Sequence, residues 1–115
     1  MRDGAPQTYC GPMELSELAE QVEKISAGYA AKNSITRDAT WFLLKLHEEV
    51  GELTQAFLAS TGQGRARGKS ADELAADVRD ELADVLCQTL LLARDQGVDL
   101  PAAVAAKWLV WGERG

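Results

Sequence analysis

Apolar residues recur at helical spacing in four segments of this chain, and glycine-rich or polar stretches separate the segments. Side chains three or four positions apart lie on one face of an α-helix, so this spacing predicts helices. The predicted helices cover about residues 14–32, 37–60, 71–96 and 101–112. No stretch shows the strict alternation that is typical of a half-buried strand, so the pattern predicts an all-α fold.

Residues at the ends of the segments support these boundaries. Ser70 and Glu73 match the capping box, in which each side chain accepts a hydrogen bond from the other residue's backbone N–H. Thr36 or Asp38 suits the N-cap of the second helix. Gly62 is expected to end that helix, because glycine readily adopts the left-handed conformation that follows a helix.

The second and third predicted helices each carry one apolar stripe. The stripe of the second helix comprises Leu43, Leu46, Val50, Leu53 and Phe57, and that of the third comprises Leu74, Val78, Leu82, Val85 and Thr89. We expect the two stripes to pack together within an antiparallel four-helix bundle. Residues 90–92 are all leucine, which makes the third helix apolar on almost every side. This predicts extra cover from a second subunit, in a homodimer or a homotetramer.

Composition narrows the possible roles of the chain. Its 115 residues suffice for one domain, with residues 1–12 expected to be a mobile tail and residues 13–115 a single helical domain. A net charge of −6 argues against nonspecific binding to nucleic acid or to an anionic membrane. No apolar run approaches the ~20 residues that span a bilayer, and residues 1–12 lack the apolar core of a secretory signal. Two cysteines give no disulfide framework, so we expect a reducing, cytoplasmic location.

Two seven-residue runs in the second and third helices match each other position by position. Residues 47–53 read His-Glu-Glu-Val-Gly-Glu-Leu, and residues 79–85 read Arg-Asp-Glu-Leu-Ala-Asp-Val. Both follow the order basic, acid, acid, apolar, small, acid, apolar. Two helices with the same acids beside the same apolar stripe suggest one acidic cavity between them.

The helical geometry brings four of these acids to equivalent positions. Glu49 and Glu52 lie at about −100° and −160° around the helix axis from the apolar stripe, and Glu81 and Asp84 occupy the same angles on the third helix. Mg²⁺ and Mn²⁺ prefer oxygen ligands of this kind. Without a cation, four close carboxylates would raise each other's pKa. Surface solvation is the alternative for each pair alone, but the matched pairs predict a site for a divalent cation and hence for a phosphate-bearing ligand.

The acidic runs also resemble a known family. Glu48-Glu49-x-x-Glu52 followed by Glu81-x-x-Asp84 is similar to the EExxE…ExxD signature of the MazG-like, all-α nucleotide pyrophosphohydrolases. The resemblance covers about residues 14–114 and is strongest over 45–57 and 78–90. It implies Mg²⁺-dependent hydrolysis of nucleoside triphosphates to monophosphate and pyrophosphate, with Mn²⁺ as a substitute. It also implies dimers or tetramers with sites near subunit interfaces.

The resemblance implies roles for individual residues. The metal ligands would be Glu49, Glu52, Glu81 and Asp84, and the catalytic acids would be Glu48 and Glu49, with Glu48 joining the cluster or orienting the attacking water. Phosphate contacts would come from Lys45, Lys107 and Arg114. Trp41 and Trp111 are candidates to stack on the base, although packing is the alternative for both. Relatives often carry asparagine at the position of Trp111, so the contact there is a departure from the family pattern.

The basic loop and the reaction itself each have an alternative interpretation. The cationic loop residues Arg65, Arg67 and Lys69 either close over phosphates or are simply solvated. Within the same chemistry, hydrolysis of phosphoribosyl-ATP is the alternative reaction. A non-catalytic, nucleotide-binding helical oligomer is the alternative from another functional class.

Overall fold

The computed structural model describes residues 13–114, and for residues 113 and 114 it describes the backbone alone. The predicted mobile tail, residues 1–12, lies outside the described residues. The three long helices are α1 (Leu15–Lys32), α2 (Ala39–Ser60) and α3 (Ala71–Asp95). A C-terminal segment, residues 100–114, consists of α4 (Leu100–Val104), a π-helical turn (Ala105–Leu109) and α5 (Val110–Arg114). The part of the chain that the structure describes contains no strand, so the all-α prediction is confirmed.

The predicted capping residues act at the starts of α2 and α3. Asp38 is the N-cap of α2, and its carboxylate accepts a hydrogen bond of 2.8 Å from the backbone N–H of Trp41. The hydroxyl of Ser70 accepts from the backbone N–H of Glu73 at 3.1 Å. The Glu73 carboxylate in turn accepts from the Ser70 N–H at 2.8 Å, which completes the predicted capping box. Both helices therefore begin within two residues of the predicted positions.

Helices α2 and α3 form a hairpin, and α1 packs against the C-terminal half of α3. Within the described residues, the buried core lies at this junction and comprises Ala30, Phe42, Leu90, Leu91 and Ala93. Two ion pairs hold α1 in place at the rim of the core. Arg37 donates to both carboxylate oxygens of Glu23, at 3.0 and 2.7 Å, and Arg94 donates to Glu20 at 2.6 Å.

Leu90 and Leu91 are buried within the single chain, and Leu92 is half-buried. Leu90 and Leu91 are each only 3% exposed. Leu90 lies in a groove shared with Leu15 and Ala19 of α1, whereas Leu91 lies beside Phe42 of α2. The prediction that this segment needs a second subunit for cover is therefore wrong, because α1 and α2 approach α3 from two sides at this level.

The two apolar stripes pack against each other only in part. Several of their members are half-buried in the hairpin, namely Leu46, Leu53, Leu74, Val78 and Val85, whereas the stripe centres are exposed. Val50 is 44% exposed and Leu82 is 54% exposed. Each follows a half-buried glutamate, Glu49 or Glu81, so the acids and not the stripe centres turn towards the neighbouring helix. Successive residues of an α-helix are rotated by about 100° around the helix axis. Because α2 and α3 run antiparallel, this rotation places Val50 and Leu82 on the same side of the hairpin. One exposed apolar face results, comprising Leu43, Val50, Phe57, Leu82 and Leu86.

Beyond its first residue, Leu100, the described part of the C-terminal segment is exposed. Every side chain described over residues 101–112 is exposed, including the large rings of Trp108 and Trp111. The Cα radius of gyration is 16.6 Å, whereas roughly 13 Å is expected for a compact chain of this length. The described chain thus combines three packed long helices with a fourth helical segment whose side chains are largely exposed. No helix among the described residues has the length and apolarity needed to cross a membrane.

Candidate metal centre

Three of the predicted metal ligands meet between α2 and α3. Glu49, Glu52 and Glu81 each offer one carboxylate oxygen, and these three oxygens lie within 4.8 Å of one another. Glu49 and Glu81 are half-buried because they lie on the sides of their helices that face each other. Glu52 lies nearly one turn after Glu49 and is exposed, so the cluster opens to solvent on that side.

Two oxygens of this cluster are buried without a partner. Within the described residues, Oε1 of Glu49 and Oε1 of Glu81 are shielded from solvent and accept no hydrogen bond. A buried, charged oxygen without a hydrogen-bond donor destabilises the folded state, because it loses its hydration and no protein group replaces the lost hydrogen bonds. A ligand that presents positive charge to both oxygens would remove this cost.

The charge cluster also shifts the ionisation of its members. Burial is the main cause that raises the pKa of Glu49 to about 7, and the negative charges of Glu52, Asp84 and Glu81 raise it further, while Lys45 lowers it. The pKa of Glu81 is raised as well, first by burial and then by the negative charges of Asp84 and Glu52, while a side-chain hydrogen bond with Glu49 lowers it. These acids repel one another in the absence of a cation.

The donor set fits a hard divalent cation. Mg²⁺ and Mn²⁺ take carboxylate oxygens together with water and phosphate oxygens. Glu49, Glu52 and Glu81 could hold such an ion at once. Asp84 lies outside the group of three whose oxygens converge, but its charge acts on both Glu49 and Glu81. It therefore lies near the cluster without belonging to the converging group.

Glu48, Lys45 and Trp41 form a second group, next to the cluster on α2. Lys45 Nζ lies 2.9 Å from Oε1 of Glu48, and this pair raises the pKa of Lys45. The same ammonium lies 6.0 Å from the centre of the Trp41 ring. Trp41 makes an edge-to-face contact with Phe42, with the ring centres 5.3 Å apart. Glu48 is thus paired with a cation and does not converge with the three clustered acids.

The remaining predicted substrate contacts lie on the C-terminal segment. Lys107 is on the π-helical turn, and both Lys107 and Trp111 are exposed. The side chain of Arg114 is outside the described residues. The described start of this segment, at Asp99–Pro101, lies against α1 and the end of α3. Among the described residues, none of the C-terminal segment lines the cleft beside the carboxylate cluster.

An open cleft of about 570 Å³ leads away from the cluster along the hairpin. Glu52 and Glu81 line one part of it, and the loop of residues 61–70 lines another part with Arg65, Arg67 and Lys69. Asp77 also lines the cleft and pairs with Lys69.

Sequence reasoning missed two polar residues near these sites. One is Asp77, the partner of Lys69. The other is Gln88, whose Oε1 is buried and has no hydrogen-bond partner within the described residues. Gln88 lies one turn after Asp84, and a polar residue at that spacing on a half-buried helix face is the signal that would have found it.

Comparison with known proteins identifies the family to which the chain belongs. The model of the MazG nucleotide pyrophosphohydrolase domain matches residues 12–108. Human dCTP pyrophosphatase 1 is 39% identical over 95 residues, which cover 76% of this chain and 53% of the human protein. The chain therefore spans about half the length of this curated relative. Because the domain model matches most of the sequence, including both acidic runs, the chain belongs to the MazG nucleotide pyrophosphohydrolase family.

Proposed function

We propose that this protein hydrolyses nucleoside or deoxynucleoside triphosphates to the monophosphate and pyrophosphate, with Mg²⁺ as its cofactor and Mn²⁺ as a substitute. The observation that carries the proposal is the convergence of Glu49, Glu52 and Glu81 within 4.8 Å, with two buried oxygens that lack a partner. Membership of the MazG family supports the same chemistry. The proposed role is removal of unwanted nucleotides from the cytoplasmic pool.

Glu49, Glu52, Glu81 and Asp84 are the proposed ligands of the cation. When bound there, the metal would offset phosphate charge and lower the pKa of a coordinated water. The acids themselves fix the position of the reacting phosphate, because they come from two rigid helices. The raised pKa values of Glu49 and Glu81 support this assignment, because a cation would offset the negative charge that raises them.

The proposed reaction is attack of water on the α-phosphorus. A new bond forms between the water oxygen and the α-phosphorus, and the bond to the bridging oxygen of the β-phosphate breaks. Pyrophosphate leaves with that oxygen, and a carboxylate accepts the proton of the water. Glu48 orients the water, and Glu49 is the second catalytic acid. Lys45, which lies beside Glu48, stabilises negative charge on the phosphates.

The base and the outer phosphates need further contacts. Trp41 lies near Lys45 and offers a ring face for stacking. Lys107, Trp111 and Arg114 are proposed to contact the substrate when the C-terminal segment, from this chain or from a second copy, lies over the site.

A homodimer or homotetramer is part of the proposal. The apolar face of the hairpin carries five large side chains that are 43–54% exposed. The C-terminal segment exposes Trp108 and Trp111 as well. A large exposed apolar face marks an interaction site, and a second copy of the chain is the occupant we propose.

The substrate is best identified by measuring pyrophosphate release from a panel of triphosphates, with and without Mg²⁺ or Mn²⁺. The human relative is a dCTP pyrophosphatase, so dCTP leads the panel, with phosphoribosyl-ATP included. The proposal expects metal-dependent release with one preferred base. A folded sample that binds metal but releases no pyrophosphate from any nucleoside triphosphate would overturn it.

A further inference from the structure

We propose that Arg65 and Arg67 bind the terminal phosphates of the substrate, and that they thereby select triphosphates over shorter phosphate chains. This inference rests on the proposed function, because it assigns the phosphate end of the same substrate. It concerns the loop of residues 61–70, which the geometry of the cleft places beyond the carboxylate cluster.

The cleft joins the two charged regions in one open space. Glu52 and Glu81 mark its acidic part, whereas Arg65 and Arg67 mark its basic part. Ala59 also lines it, seven residues after Glu52, which corresponds to about 10 Å along the axis of α2. A triphosphate held by a cation at the acids therefore has room to extend towards the loop, and an arginine side chain is long enough to meet it.

The loop carries cationic charge that the described residues do not balance. Lys69 pairs with Asp77, so its charge is already compensated. No acid among residues 13–112 forms an ion pair with Arg65 or Arg67. A guanidinium donates two parallel hydrogen bonds to a phosphate, so these two side chains suit a terminal phosphate.

The backbone holds the loop in a defined shape at its start. The carbonyl oxygen of Leu58 accepts hydrogen bonds from the backbone N–H groups of Gln63 and Gly64, at 2.8 and 2.9 Å. Gly62 has a φ of 80°, which allows the chain to reverse after α2. A Cβ added to Gly64 would lie 3.2 Å from the backbone nitrogen of Ala59. The loop is thus folded back onto the end of α2.

A tight turn then presents Arg67. The carbonyl of Ala66 accepts from the Lys69 N–H at 3.1 Å, and Arg67 and Gly68 have φ values of 53° and 80°. Positive φ at both central positions defines a type I′ turn, where Asn-Gly is the preferred pair. Arginine is unfavourable at the first position, and backbone strain of this kind concentrates at functional sites. The strained backbone conformation of Arg67 is therefore consistent with a binding role.

Steady-state kinetics on single variants tests the inference. Arg65→Gln and Arg67→Gln each remove one cation, and Arg79→Gln is the matched control, because Arg79 is exposed on α3 outside the cleft. We expect the KM for the preferred triphosphate to rise about tenfold in each loop variant, as for loss of a charge-assisted hydrogen bond. The kcat and the KM for the matching diphosphate should change by less than about twofold. Unchanged KM values in both loop variants would overturn the inference.

Calorimetric binding of inorganic tripolyphosphate gives a readout that does not depend on turnover. The wild type and Arg79→Gln should bind it with similar affinity, and both loop variants should bind about tenfold more weakly. If no triphosphate is hydrolysed but this pattern appears, the proposed function fails and the loop assignment stands. If hydrolysis is normal and the loop variants bind as the wild type does, the loop assignment fails and the proposed function stands.

Discussion

Glu49 and Glu81 meet across the hairpin of α2 and α3, and each buries one carboxylate oxygen that has no hydrogen-bond partner within the described residues. Each glutamate is followed by an exposed apolar residue, Val50 or Leu82. The hairpin therefore places acids where a soluble bundle would normally place apolar side chains. This inversion destabilises the metal-free chain, and a cation bound between the two helices would offset that cost.

The first prediction concerns stability against pH in the metal-free protein. The folded pKa of Glu49 is about 7, above its ordinary value of 4.5. A raised carboxyl pKa means that the folded state binds the proton more tightly than the unfolded state does. The stability from this group is fully present below about pH 4.5 and is lost as the pH rises through about 7. Thermal unfolding in the presence of a chelator should show the Tm falling across this window.

Glu49→Gln is the variant that isolates this effect, because it keeps the shape and removes the charge. Its Tm without metal should vary less between pH 5 and pH 8, and at pH 8 it should exceed that of the wild type. Asp80→Asn removes an exposed acid on the same hairpin and should leave the wild-type pH dependence intact. If the Tm of Glu49→Gln and the Tm of the wild type depended equally on pH, Glu49 would not be the titrating group.

Some parts of this structure could be predicted from the sequence, and others could not. The starts of α2 and α3 could be predicted, because Asp38 and Ser70 cap them by local hydrogen bonds. The convergence of acids from two helices could also be predicted, because the matched runs give Glu49 and Glu81 the same angle on their helices.

Other features could not be predicted, because periodicity identifies an apolar face but not the surface that covers it. Val50 lies on such a face and is exposed in the single chain, whereas Leu90 is covered by α1. The position of the loop arginines was also beyond sequence reasoning, since Arg67 lies in a turn that arginine does not favour.

The second prediction separates stability from binding at that turn. Arg67→Asn creates the Asn-Gly pair that type I′ turns prefer, and it relieves the left-handed conformation of arginine. We expect the free energy of unfolding to rise by about 0.5–1 kcal/mol, while the affinity for tripolyphosphate falls. Denaturant unfolding and calorimetry measure the two quantities. If the variant gains stability and keeps full affinity for tripolyphosphate, the Arg67 guanidinium does not bind phosphate.

The third prediction concerns the apolar face of the hairpin. Val50→Asp places a charge at the centre of that face and should dissociate the proposed oligomer towards the 12.4 kDa chain. Thr40→Asp adds the same charge to α2 at an exposed position outside the face and should leave the mass unchanged. Light scattering after size exclusion gives both masses. A wild-type protein that runs as a monomer at micromolar concentration would contradict the oligomer directly.

The fourth prediction tests the central claim, that the carboxylates between α2 and α3 hold the cation that hydrolysis requires. The decisive measurement is the rate of Mg²⁺-dependent pyrophosphate release for the wild type, Glu81→Gln and Asp80→Asn. Glu81 and Asp80 are neighbours on α3, but only Glu81 belongs to the cluster. Glu81→Gln should lose at least about 100-fold in rate while remaining folded, and Asp80→Asn should retain the wild-type rate. A folded Glu81→Gln protein with full Mg²⁺-dependent turnover would contradict the account.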